Sequence, residues 1–139
     1  MFLLDTPALS EPTKKRPSEG LLAFLELQPQ HFLFTSVVVI GELRKGAVSH
    51  PDPSQRASLE RWIEDDVVAE MDGRILPVTA EIANRWGILC GEAARRGRSL
   101  APIDALIAAT AIVGGLAVVT RNEAHFRACG VAVTNPWLA

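Results

Sequence analysis

LAPIDALIAATAIVGGLAVVT, residues 100–120, is the most apolar stretch of the chain, and its reading decides the fold. Taken as one segment it approaches the roughly 20 apolar residues that a membrane-spanning helix needs. Pro102, Asp104 and the pair Gly114-Gly115 interrupt it, however, and a carboxylate inside a bilayer is costly. The stretch instead predicts a buried helix over 102–113, a glycine turn and a buried strand over 116–120. Gly114-Gly115 then supplies the left-handed helix end and the reversal.

Working outward, the same alternation repeats. Residues 2–4 (FLL) form a short apolar run, 31–36 (HFLFTS) read as a strand, and so do 74–79 (RILPVT) and 130–134 (GVAVT). Helices are expected over 17–27, 37–48, 51–71 and 80–97; in the third, Leu59, Trp62, Ile63, Val67 and Met71 share a face. Short apolar strands alternating with longer helices imply βαβ units. The fold class is therefore α/β, with a mostly parallel central sheet covered on both faces, and 139 residues suit one domain over 1–139.

Composition excludes some functions and leaves others open. Hydrophobic residues make up 48% and charged residues 22%, a globular balance that argues against disorder. A net charge of −2 and a pI near 5.9 give no bulk electrostatic case for nucleic-acid binding, so such a role needs a local basic patch. Cys90 and Cys129 have neither metal-like nor redox spacing and read as reduced thiols of a cytosolic protein. No basic, then apolar, leader opens the sequence, so neither secretion nor membrane insertion is expected.

In open parallel sheets, ligands sit beyond the carboxyl ends of the strands. Asp5 follows the first strand directly, and Glu42 lies more than a turn into the helix after the second. Asp104 opens the most apolar helix, and Asn122 comes two residues after the fourth strand. Carboxylates brought to one edge repel unless protonated or bridged by cations. Hard divalent ions with oxygen ligands, Mg²⁺ or Mn²⁺, are the usual bridge, and such sites support phosphodiester hydrolysis. Singly, each residue has a structural reading: Asp5 or the pair Thr6-Pro7 as a helix start, Asp104 beside a helix dipole, Glu42 on a solvated face with Arg44, Asn122 in a turn. The joint pattern carries the argument.

LLDTPALSEP, SVVVIGELRKGA, APIDALIAATA, VVTRN and the closing NPW together resemble PIN-domain proteins, in particular the VapC/FitB-like toxins of bacterial toxin–antitoxin pairs. The resemblance implies a three-layer α/β/α sandwich and a Mg²⁺- or Mn²⁺-dependent endoribonuclease that dimerises and is neutralised by a cognate antitoxin. It assigns Asp5, Glu42 and Asp104 as the acidic metal site, with Asn122 orienting water or phosphate. Two positions depart from the pattern. His125 stands where relatives with Asn at the fourth position often carry Asp, with Glu123 the nearby substitute; Pro7 stands where an Asn usually organises the site. These departures leave a second reading open, a weak or inactive scaffold that binds RNA or protein, and a phosphatase or DNA nuclease of similar build is a third.

Local basic groups supply the RNA argument. Arg44 and Arg121 adjoin site residues and are the leading phosphate contacts, ahead of Lys14-Lys15-Arg16 and Arg95-Arg96-Arg98. With no tyrosine, and with three tryptophans in apolar or terminal settings, no base-stacking platform is evident. Leu21, Leu22, Phe24 and Leu25 cover more than one helix face; core packing is the leading reading for each of them and for Trp62 and Ile63, and whatever the core does not take is surface for the antitoxin or a second copy.

Overall fold

The computed structural model describes residues 1–138. Five strands form one sheet in the order β3-β2-β1-β4-β5, every neighbouring pair parallel. They are β1 (Phe2–Leu4), β2 (Leu33–Ser36), β3 (Ile75–Leu76), β4 (Ala117–Val119) and β5 (Val133–Thr134). Between them run α1 (Thr6–Ser10), α2 (Glu19–Leu27), α3 (Val37–Val48), α4 (Pro53–Arg61), α5 (Ala80–Arg95), α6 (Pro102–Gly114) and α7 (Glu123–Ala128). The α/β class expected from the alternation is what the chain adopts.

Side chains alternate across a strand, so neighbours on the central strands enter opposite cores. Leu3 and Val118 pack with α3, α6 and α7 through Val39, Ile107 and Phe126. Leu4 and Val119, one residue on, pack with Ala8 of α1 and Leu21 of α2. The sheet thus has an apolar layer on each face, which gives the three-layer sandwich. Phe2 adds an edge-to-face contact with Phe24, ring centroids 5.1 Å apart. Of the α2 residues with an expected surplus, Leu21 is buried, Phe24 and Leu25 are half-buried and Leu22 is exposed; Ile63 joins the core.

The stretch 100–120 resolves as read: α6, a left-handed Gly115 at φ +67°, then β4. The Leu116 N–H reaches back to the Ala111 carbonyl at 2.8 Å and closes the helix end. Among the described residues no helix is long and apolar enough to cross a membrane. Both cysteines are free thiols.

Several boundaries differ from expectation for identifiable reasons. β3 stops at Leu76 because Pro77 has no N–H to continue the ladder. The segment expected as one helix over 51–71 runs as α4 and then passes into wider, π-type turns over Trp62–Val68, which still bury Ile63 and Val67. α7 is an element that the sequence reading does not contain: RNEAHFRACG has few apolar residues, yet Phe126 anchors a helix that ends before Gly130 at φ +76°. Phe126 is wholly buried, and Phe126→Ala should cost about 3–5 kcal/mol in urea unfolding, with the loss falling on the helix that carries His125.

Candidate active site

The parallel register builds the site. Leu4 pairs with Val119, and the Asp5 N–H continues that ladder to the Val119 carbonyl at 3.1 Å. One residue further, Asp5 and Thr120 stand side by side at the carboxyl edge. The Thr120 hydroxyl donates to Asp5 Oδ2 at 2.8 Å, and the Thr6 N–H donates to Oδ1 at 2.8 Å. Asp5 is therefore the residue that caps α1, with its carbonyl accepting the Ala8 N–H; Thr6 is inside the helix and not its cap, and Pro7 occupies a first-turn position where no N–H is needed.

The Thr6 hydroxyl is free for another task. It donates to Glu42 Oε1 at 2.8 Å, tying α1 to α3. Val39, Leu43 and Ala47 form the buried face of α3, and Glu42 sits beside that face at its solvent margin. Asp104 is in the first turn of α6, where the positive end of the helix favours a carboxylate. Its Oδ2 lies 2.8 Å from His125 Nδ1 on α7. An ionised carboxylate only accepts, so Nδ1 carries the proton of that bond.

Each of the three acids is thus held by one side chain that is not an acid: Asp5 by Thr120, Glu42 by Thr6, Asp104 by His125. The sequence does not assign Thr6 or Thr120 to the site, and it marks His125 only as a departure from the family pattern. The signal was present in the strand-end position of both threonines. The other departures are clear as well. Glu123 is already paired: Arg127 donates to one of its oxygens at 2.7 Å and Asn135 to the other at 2.9 Å, so its charge, unlike that of Asp5, is met by a basic side chain. Asn122 is at the same edge, its N–H bonded to the Thr120 oxygen at 3.0 Å, with its side chain exposed. Arg44 is engaged with Glu64 at 3.0 Å, and the Arg121 guanidinium lies 5.9 Å from the ring centre of Trp137.

The electrostatics of Asp5 follow from this geometry. It is 2% exposed, and burial above all pushes its carboxyl up to about 6; the charges of Asp104 and Glu42 push the same way. The bonds from Thr120 and Thr6 oppose the shift without cancelling it. Among the described residues, none of the ion pairs gives Asp5 or Glu42 a basic partner. No three acidic, histidine or cysteine side chains among the described residues already surround one ion position. The donor set nevertheless suits a hard divalent cation: carboxylates only, one of them buried, mutually repelling, with no basic partner on Asp5 or Glu42 among the described residues.

A parallel sheet with acids gathered at its carboxyl edge is the build of a PIN domain, and the chain belongs to that family: the PIN domain model matches residues 2–131. Among its relatives, the toxin FitB of Neisseria gonorrhoeae is 34% identical over 137 residues, covering 99% of both chains. The VapC ribonuclease Y4jK of Sinorhizobium fredii is 32% identical over 137 residues, 99% of this chain and 98% of that one. The crystal structure of FitAcB from Neisseria gonorrhoeae contains a chain that superposes with a TM-score of 0.92 at 33% identity, each chain covered in full.

The raised carboxyl of Asp5 has a measurable consequence for stability. Its folded value lies above the unfolded one, so the folded state holds the extra proton between about pH 4 and 6. The cost of burying the charge is absent below that window and complete above it. In EDTA, Asp5→Asn should therefore be more stable than the parent at pH 7.5 by on the order of 2–3 kcal/mol, and about equal at pH 4. Urea unfolding at the two pH values measures this difference; equal offsets at both would contradict it.

Proposed function

We propose that this chain is a Mg²⁺- or Mn²⁺-dependent endoribonuclease toxin, with Asp5, Glu42 and Asp104 as its metal ligands and Asn122 orienting water or phosphate. The observation that carries the reading is the buried, unneutralised Asp5, flanked by two further acids whose charges it feels. A protein maintains such a carboxylate at a sheet edge when a cation is to share it. The relatives support the activity, one being named a ribonuclease and another a toxin. The 139 residues then act as one PIN domain, in the cytoplasm where the RNA is.

When bound, the cation lowers the pKa of water and stabilises charge on the attacked phosphate. The protein's own part is placement. Asp5 keeps one lone pair on each oxygen after its bonds to Thr6 and Thr120, so both oxygens remain able to accept. Thr6 aims Glu42 toward α1, and leaves Oε2 uncommitted to that bond. His125 holds Asp104 by Oδ2, which leaves Oδ1 for the site. Pro7 cannot organise the site as an amide would. Thr6 and Thr120 supply two of the contacts that do.

A toxin implies a partner that restrains it, and the family resemblance makes that partner a small antitoxin, with a second copy forming a homodimer. Leu22, Leu27, Ile88 and Ile103 remain exposed and are apolar surface for such contacts.

Purified protein should cleave RNA with Mg²⁺ or Mn²⁺, and both EDTA and Asp5→Asn should reduce cleavage by more than about 100-fold. Cleavage that persists in both would refute the site. His125→Ala should weaken Mn²⁺ binding by about 10–100-fold, as loss of a ligand's supporting hydrogen bond does. His125→Asn, whose amide N–H can stand near Nδ1, should recover most of that affinity. Calorimetric titration reads both variants without reference to activity.

A further inference from the structure

Two clefts meet on the side of the molecule formed by α5, the segment 98–102 and α7. The first, about 440 Å³, contains Asp104 and His125 and runs across Leu100, Ala128 and Cys129. Those last three residues also line a second cleft of about 240 Å³, whose other wall carries Arg85, Arg96 and Arg98. The two share those three residues, so the cleft of a candidate metal ligand and the cleft of three guanidinium groups lie side by side.

The charges in the second cleft are unequal. Glu92 is the acid in the second cleft, against three arginines. Among the described residues, the ion pairs engage Lys14, Arg44, His125 and Arg127, and none of them takes Arg85, Arg96 or Arg98. Arg44, by contrast, is already held by Glu64. Guanidinium forks match phosphate oxygens, and exposed ones release counterions when a phosphate replaces them. The connecting floor of leucine, alanine and cysteine offers no ring for a base, so contact here is with the backbone of the strand and not with its sequence.

We infer that the cleft of Arg85, Arg96 and Arg98 is a phosphate-binding subsite for single-stranded RNA that extends from the Asp104 end of the site. This rests on the nuclease reading, and it places the main phosphate contacts at Arg96 and Arg98, which the sequence ranked below Arg44 and Arg121, and at Arg85, which the sequence does not single out. The strand crosses Leu100 and Ala128 before its phosphates reach the guanidinium groups.

The test is fluorescence anisotropy of a labelled 20-nucleotide single-stranded RNA with the full chain in EDTA, where binding is read without cleavage. Arg96→Gln/Arg98→Gln removes two cations from the second cleft; Lys15→Gln/Arg16→Gln removes two cations outside it. At about 0.7 logarithmic units per single-strand phosphate contact, the first double variant should lower affinity about 25-fold at 0.1 M salt and flatten the salt slope by about 1.4. The second should change affinity only a few-fold. Thermal midpoints equal to the parent's show that both fold. Equal losses in the two double variants, or parental RNA affinity in the first, overturn the subsite, including when that variant instead loses binding to an acidic protein partner. Failure of the nuclease reading shows separately, as absence of metal-dependent cleavage by the parent chain.

Discussion

The site depends on a carboxylate that the sheet does not let escape to water. Asp5 is placed by the β1–β4 ladder, which continues through its own N–H to Val119 and so fixes its backbone beside Thr120. With two hydrogen bonds and no cation, a buried acid is only partly compensated. That residual cost is what the remaining architecture addresses. Thr6 brings Glu42 across from α3, and His125 steadies Asp104 at the start of α6, so the end of β1 and two helices place carboxylates toward one edge. The same burial that makes the ionised form of Asp5 costly concentrates unneutralised negative charge at this edge.

A trade between stability and function of this kind accounts for the heavy apolar support around the site. Leu3, Leu4, Val118 and Val119 are all essentially buried, and they anchor the two strands whose ends carry Asp5 and Thr120. In α6, Ala105 and the run from Ile107 to Ala111 are buried, which holds Asp104 at a fixed depth. A rigid apolar scaffold is what allows acids that repel one another to be kept close.

Much of this was legible in the sequence because it rests on local pattern. The turn at Gly114-Gly115 separated α6 from β4, and α3 begins and ends at Val37 and Val48 as its periodicity implies. Asp5, Glu42 and Asp104 are candidates in the sequence because acids brought to the carboxyl edge of a parallel sheet are informative. The second set of residues was not legible, since it depends on register and side-chain reach. Nothing local tells Thr120 that its neighbour in space is Asp5, 115 positions away. α7 escaped for a related reason: its stability comes from the single burial of Phe126 and not from an amphipathic stripe. With α7 unseen, His125 read only as a missing acid, whereas in the fold it is a hydrogen-bond partner of Asp104. Arg85 on α5, and Arg96 and Arg98 just after it, are visible in the sequence as charges, but their closeness to Asp104 exists only once α5 and α7 flank the 98–102 segment.

The central claim is that Asp5, Glu42 and Asp104 share one cation. Crystals of the protein soaked in Mn²⁺ and measured at a wavelength where manganese scatters anomalously test it directly. The account predicts an anomalous peak within coordination distance of carboxylate oxygens from all three residues, close to Asn122 and absent in Asp5→Asn crystals. A peak elsewhere on the surface, or none at a Mn²⁺ concentration that supports cleavage, would contradict it.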